Sequence, residues 1–403
     1  MWICCQIGAR EHYAVPRALK RAGVLQGLFT DAWVRPGNPL GLVKRSLRER
    51  YHDELKEATV ISANASLLAF EALARVKGLT GWNLILARNQ WFQRQALHAL
   101  EKQKAEFEGT VNTSAPVLFA YSYAAREPFR WAKEQGWRKV LGQIDAGPEM
   151  RRIVQRLEQR YPEYQSRNNS PSKSYWNEWR EECALADRII VNSQWSLKAL
   201  EIEGINAAKI RVVPLAYAAP LEAAIFRREY PAAFSAQRPM RVLFLGQVNL
   251  AKGLIPMLEA ADLLRSEPIE FYIVGQIQVA VPEKWRRQPR IHWLGPVSRG
   301  MVAKYYQSAD IFLFPTFCDG FGLTQLEAQA WQLPIVASRF CGDVVKDEIN
   351  GLQLTEVSGE DIAHALRRLL TAPEKLSAMS RYSNLGPQFS LKGIAAGLET
   401  VLD

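Results

Sequence analysis

Residues 309–338 read ADIFLFPTFCDGFGLTQLEAQAWQLPIVAS, a complete strand, loop, helix and strand unit. The unbroken apolar run at 311–314 predicts a strand buried on both faces. Pro315 turns the chain, and a glycine-bearing loop at 318–322 opens a helix carrying Glu327. A second apolar run at 334–337 returns to the sheet. In such a unit the loop amides and the helix N-terminus converge on one point, an arrangement suited to an anion. Gly320 and Gly322 flank Phe321 and allow the backbone to approach a ligand without an intervening Cβ. Asp319, at the loop mouth, and Glu327, in the first turns of the helix, are candidates to face one polyhydroxylated ligand. The same acids read equally as a turn or N-cap residue and a solvated helix position.

At 403 residues the chain is long for one core and ample for two domains. Hydrophobic residues make up 48% and charged residues 23%, which excludes a disordered or collagen-like chain. The net charge of +10 implies an anionic partner: a nucleotide, a phospholipid surface and a nucleic acid all fit. Cys4, Cys5, Cys183, Cys318 and Cys341 are scattered without metal-ligand spacing and read as packed, reduced thiols. The dispersed histidines form no zinc pattern. No apolar run is long enough to cross a bilayer, and the opening MWICCQIGAREHY has no basic leader. The expected location is therefore cytoplasmic, extending to a peripheral position at the inner face of a membrane.

The chain opens with an apolar strand at 2–7, ended by Gly8 before a helix with Pro16 at its first position and Gly23 as its cap. This is how a doubly wound α/β domain begins. Residues 35–56 are basic with interspersed apolar positions, and helices are expected from 58 to 104. The basic segment reads either as an amphipathic helix on an anionic membrane or as a solvated face. A strand at 117–120 delivers Ser122 and Tyr123 to its C-terminal edge, where open α/β sheets hold ligands. The next strand, 139–144, ends at Asp145, which fits an acceptor-hydroxyl ligand or general base and equally an Asx turn. Residues 149–188 interleave basic and aromatic side chains but carry no nucleic-acid-binding motif. They read as a helical hairpin with a polar break at 166–174, so no nucleic-acid partner is expected. Ser193 lies at a strand end, as a cleft residue or a helix cap.

The segment 309–338 resembles the signature of the family 4 retaining glycosyltransferases, in which an acid, seven residues and a Glu bracket a Gly-Phe-Gly-Leu loop. Here the first acid is Asp319 in place of the usual Glu. The resemblance implies that Asp319 contacts the donor sugar, that Gly320, Phe321, Gly322 and Leu323 present amides to sugar and diphosphate, and that Glu327 holds the nucleotide ribose. It extends to 241–253, where Gly246 and Lys252 match a diphosphate-gripping loop and Gln247 stands where relatives carry Arg. Gln247 offers only neutral donors, so Lys252 is left with the charge neutralisation. Val297 falls where relatives hold the nucleobase. In the first half, the loop of Gly8, Arg10, Glu11 and His12 corresponds to an acceptor-side loop, and Ser122 and Tyr123 stand where relatives place a sugar-contacting histidine.

The fold implied is GT-B, two Rossmann-like doubly wound domains facing a central cleft. Residues 1–220 would form the acceptor-side domain, 221–239 a linker, 240–385 the nucleotide-sugar domain and 386–403 a helix crossing back. The implied activity is transfer of a hexose from a nucleotide-diphosphate sugar to a carbohydrate or lipid-linked hydroxyl with retention. Lys252, Asp319 and Asp145 are its catalytic candidates. No cofactor other than the donor is implied, and without an Asp-x-Asp sequence no metal is called for. A GT-B phosphorylase or epimerase, and a non-catalytic nucleotide-sugar scaffold, are the alternatives.

Overall fold

The computed structural model describes all residues except 39, 44–46, 48, 110–114, 165–170 and 403. Seven strands form the first sheet: β1 (Trp2–Gln6), β2 (Leu25–Thr30), β3 (Val60–Ser62), β4 (Val117–Tyr121), β5 (Arg138–Gly142), β6 (Arg188–Val191) and β7 (Ile210–Val212). They run parallel in the order β3-β2-β1-β4-β5-β6-β7. The second sheet contains β8 (Met240–Leu245), β9 (Ile269–Val274), β10 (Ile291–Gly295), β11 (Ile311–Phe314), β12 (Ile335–Ala337) and β13 (Gly351–Gln353). Its parallel order, β10-β9-β8-β11-β12-β13, repeats the same winding.

Both sheets are covered on both faces, and for this reason their strands read as apolar runs without alternation. Alternation survives only in which core a side chain enters. On β1, Ile3 and Cys5 pack with Leu118 and Ala120 of β4, while Trp2 and Cys4 pack on the other face with Val117 and Phe119. On β11, Ile311 and Leu313 join one core, and Phe312 and Phe314 the opposite one. Each sheet reverses direction of growth once, between β1 and β4 and between β8 and β11. Loops leaving those strands diverge and open a crevice at the C-terminal sheet edge.

The structure departs from the expected elements in the first domain. The stretch expected as helix from residue 58 contains β3, followed by helices Asn64–Val76 and Gly81–Gly109. A strand of three half-buried residues at a sheet edge has no periodicity to announce it, and only its pairing with Leu28, Phe29 and Thr30 defines it. The first helix is Ala14–Arg21, so Pro16 is its third residue; an N–H there has no intrahelical partner in any case. Parts of the basic segment 35–56 and of the polar break 166–174 lie outside the described residues. Within the basic segment, Arg50 pairs with Asp31 at 2.8 Å, and Leu47 and Leu55 are buried. Among the described residues, no helix is long and apolar enough to cross a membrane.

Several contacts tie the two halves together. The Ser193 and Ser196 hydroxyls both donate to the Gly320 carbonyl, at 2.8 and 3.0 Å. Gln194 N donates to Asp343 Oδ2 at 3.0 Å, and Trp195 meets Phe340 edge-on. Helix Leu391–Glu399 buries Ile394 and Leu398 in the same core as Val15 and Leu19 of the first domain. Segment 226–238 is pinned to the second sheet: the Arg238 guanidinium forks onto Asp310 at 2.6 and 2.7 Å, and Arg228 donates to the Tyr306 and Trp331 carbonyls.

A Ser193→Ala/Ser196→Ala double variant leaves the buried Gly320 carbonyl without these donors and removes a helix cap. It is expected to lose about 2–3 kcal/mol of stability, measured as a lower urea midpoint at unchanged m-value.

Candidate functional site

Two crevices, one per sheet, face each other. A cavity of about 390 Å³ lies between them, with Tyr123, Asp145 and Trp176 on the first-domain wall and Gln247, Asn249 and Ala251 on the other. Asp145 follows β5 and is half-buried at the cavity edge. Its Oδ1 accepts from the Tyr123 hydroxyl at 2.6 Å, Gln143 Nε2 at 3.0 Å and Gly147 N at 2.9 Å. The turn bond therefore exists, and it occupies only one carboxylate oxygen. Burial raises the Asp145 pKa, opposed by the hydrogen bonds from Tyr123 and Gly147. Gln143, which accepts from Trp179 Nε1 at 2.9 Å, fixes this arrangement and was not singled out from sequence.

Tyr123 adopts φ +73°, and its N–H donates to Glu182 Oε2 at 2.7 Å. Glu182 also accepts from Ala125 N, and burial pushes its carboxyl up to about 7. Ser122 is buried beside Tyr123. In the loop after β1, Gly8 has φ +76°, and a Cβ there would lie 2.4 Å from the Arg50 guanidinium. Its N–H donates to Asp31 Oδ1 at 2.8 Å, so this glycine serves the turn itself.

Glu11, His12 and Tyr13 follow with φ of 52°, 53° and 59°. Three successive left-handed non-glycine residues are a costly conformation that surrounding contacts must hold. Arg10 lies over the Tyr121 ring, the Tyr121 hydroxyl donates to Glu11 at 3.2 Å, and His12 Nε2 is 2.6 Å from Arg299 Nη2 of the second domain. Burial and the Arg299 charge lower the His12 pKa, which favours a neutral ring accepting from the guanidinium. Arg299 had no sequence signal beyond its place at the start of a helix.

On the opposite wall the loops after β8 and β11 interlock. Gly253 has φ +77°, and a Cβ there would sit 2.0 Å from the Pro315 carbonyl oxygen. Phe317 N and Thr316 Oγ1 both donate to the Ala251 carbonyl, at 2.8 and 2.9 Å. This clasp brings the Lys252 ammonium onto the Asp319 carboxylate, with Lys252 also above the Phe314 ring. Asp319 Oδ1 accepts from Phe321 N at 3.3 Å. The Phe321 side chain is core, packed against Phe389, and Gly322 (φ +82°) turns tightly over Phe314. A Cβ on Gly320 would lie 2.4 Å from the Ile144 carbonyl oxygen, so this glycine lets the loop abut the turn holding Asp145.

Glu327 Oε2 accepts from the Tyr306 hydroxyl at 2.8 Å, and burial raises its pKa against the effects of Tyr306 and Arg299. Asp319 and Glu327 thus bind different partners. Val297 and Leu323 border the core beneath them, while Gly246 donates its N–H to Val274 O at 3.0 Å. Burial drives the Cys318 thiol up to about 12, which removes it as a nucleophile at neutral pH. Among the described residues, no group of three His, Cys, Asp or Glu side chains could hold a metal ion.

Two doubly wound domains whose switch-point loops meet across one cavity define the GT-B class. Solved structures agree over the full length: HepE of Anabaena, in complex with UDP, matches with a TM-score of 0.61 at 14% identity, covering 100% of this chain and 99% of that one. A variant of S. aureus TarM matches at 0.63 and 10% identity, covering 100% and 99%. Residues 239–372, within the second domain, match the family of glycosyl transferases group 1. A D-inositol 3-phosphate glycosyltransferase of Segniliparus rotundus is 29% identical over 236 residues, 53% of this chain and 51% of that protein. An uncharacterised 41.2 kDa protein of the cps region of Klebsiella pneumoniae is 26% identical over 169 residues, 41% and 47% of the two chains. The chain spans about half the length of the curated relatives it matches.

Tyr306→Phe removes a hydrogen bond that favours the ionised Glu327. The Glu327 carboxyl is expected to titrate at a higher pH than in the parent protein, as read by carboxyl carbon NMR.

Proposed function

We propose that this protein is a retaining hexosyltransferase that draws its sugar from a nucleoside-diphosphate donor. The observation that carries the reading is the Lys252–Asp319 pair, clasped at the β8/β11 switch point, beside the loop that abuts the Asp145 turn. The likeness to a UDP-bound neighbour favours UDP as the nucleotide.

Asp319 compensates the Lys252 charge. Donor binding would transfer the ammonium to the diphosphate, and Asp319 would turn to the sugar hydroxyls. As the C1–O bond to the diphosphate breaks, negative charge grows on the leaving oxygen, where Lys252 and the amides of the Gly320–Leu323 loop stabilise it. The acceptor oxygen bonds to C1 on the same face, and its proton passes to the departing diphosphate. Asp145, with its Oδ1 held by Tyr123, Gln143 and Gly147, keeps the other oxygen for orienting the acceptor hydroxyl. Glu327, steadied by Tyr306, would take the ribose hydroxyls, with Val297 near the base and Gln247 near the diphosphate. The acceptor-side loop is that of Arg10, Glu11 and His12, and the acceptor a carbohydrate or lipid-linked glycan.

The direct test is calorimetry with UDP and GDP, followed by chromatographic measurement of nucleotide released from UDP-hexoses. Binding without release from any donor would leave only the non-catalytic nucleotide-sugar scaffold, and the absence of both would overturn the reading. Lys252→Ala is expected to lower kcat/KM by about 10²–10³ through loss of leaving-group stabilisation. Glu327→Gln keeps an acceptor for Tyr306 and should raise the donor KM more than it lowers kcat, because ribose contacts are made equally in ground and transition states.

A further inference from the structure

A hollow of about 410 Å³ lies at the opposite edge of the first sheet from the cleft, where β5 and β6 begin. Lys133, Arg138, Lys139 and Arg188 line it, and Asp187 is the one acid among its lining residues. We propose that this hollow is a second anion site, separate from the cleft, and that it takes the phosphate group of a small phosphorylated molecule. Its chemistry is independent of the transferase reading.

The charges around the hollow do not balance among the described residues. Lys139, 6% exposed, donates from Nζ to Asp187 Oδ2 at 2.8 Å and to the Trp137 carbonyl at 3.0 Å. The same Asp187 oxygen accepts from Lys139 N at 2.7 Å, so the acid is taken up by this one lysine. An ammonium has three donors, and the third is unused. Arg138 donates to the Leu402 carbonyl at 3.3 Å and Arg188 to the Asp187 carbonyl at 3.1 Å, while the buried Arg188 Nε has no partner. Neither arginine, nor Lys133, meets a carboxylate among the described residues. By contrast Arg126, Arg130, Arg152 and Arg238 each hold one.

Lys133 lies in the last turn of helix Arg126–Glu134, and the helix dipole accounts for a cation there. It does not account for two arginines at the starts of adjacent strands. Three such charges around one hollow repel one another, and an anion seated among them turns that repulsion into attraction. Planar guanidiniums with unused N–H groups fit the oxygens of a tetrahedral phosphate, and a dianion neutralises more of the surplus than a carboxylate does. The lining offers no open aromatic face for a base, since Trp137 is 2% exposed. Leu402 is its one aliphatic residue, so nothing there receives an acyl chain, and a free phosphate ester fits better than a lipid headgroup.

The test is calorimetry and thermal unfolding of the full chain with inorganic phosphate, glycerol 3-phosphate and acetate at matched ionic strength, with and without UDP. Phosphate and glycerol 3-phosphate are expected to bind and to raise Tm, and acetate to bind about tenfold more weakly or less. Arg138→Gln/Arg188→Gln should weaken phosphate by about tenfold or more and leave UDP affinity within about twofold. Lys133→Gln, at an exposed position that spares the fold, should weaken phosphate by about threefold. The inference is overturned if neither phosphate probe binds, if UDP displaces the phosphate, or if binding survives all three substitutions. It is also overturned if Asp403→Ala tightens phosphate binding, which would make the chain's own carboxylate the occupant. Capture of the protein by phosphatidylglycerol vesicles, lost in the double variant, without binding of free phosphate would assign the hollow to a lipid headgroup and overturn it too. Phosphate binding without any UDP binding would overturn the transferase reading and leave this site standing.

Discussion

The contact on which the site depends is the meeting of Gly320 with the turn at Ile144 and Asp145. No side chain fits there, and the Gly320 carbonyl is taken by two serine hydroxyls from the other domain. Each domain alone has a crevice at its own switch point. With the other contacts between the domains it sets the crevices against each other, so that Asp145 after β5 and Gln247 after β8 border one space. A larger residue at Gly320 would hold the walls apart.

Strain is concentrated on the same line. The left-handed run Glu11 to Tyr13 and the left-handed Tyr123 both leave strands at the first switch point. The first places His12 against Arg299 across the cleft, and the second aims the Tyr123 hydroxyl at Asp145. Costs of this kind persist only where neighbouring contacts over-determine the backbone. Glu182, buried behind Tyr123 and bonded to two backbone amides of the loop, is one such contact.

The charge of the loop after β8 is balanced by one ion pair. A half-buried, uncompensated ammonium would be costly, and Asp319 offsets that cost by pairing with Lys252. The same pairing means that Lys252 is not a free cation in the resting cleft. The shorter side chain at 319 is sufficient for this contact because the Gly253 turn carries the lysine across to it.

The second domain was legible in the sequence because its strands are apolar runs punctuated by glycine. The unit at 309–338, with its loop and Glu327, reads directly from periodicity and turn chemistry. The first domain was less so: β3 is three residues at an edge, and its existence depends on β2 alone. Ser193 could be seen as a cap or a cleft residue and is both, since its oxygen accepts from Ser196 N and its proton goes to Gly320. Local sequence specifies turns, strands and the acids they carry, because those follow from backbone sterics and burial within a few residues. Which oxygen of Asp145 stays free, which carboxylate meets Lys252, and that Arg138 and Arg188 share one hollow are set by contacts between segments tens to hundreds of residues apart. No local pattern encodes those contacts, and only the packed chain decides them.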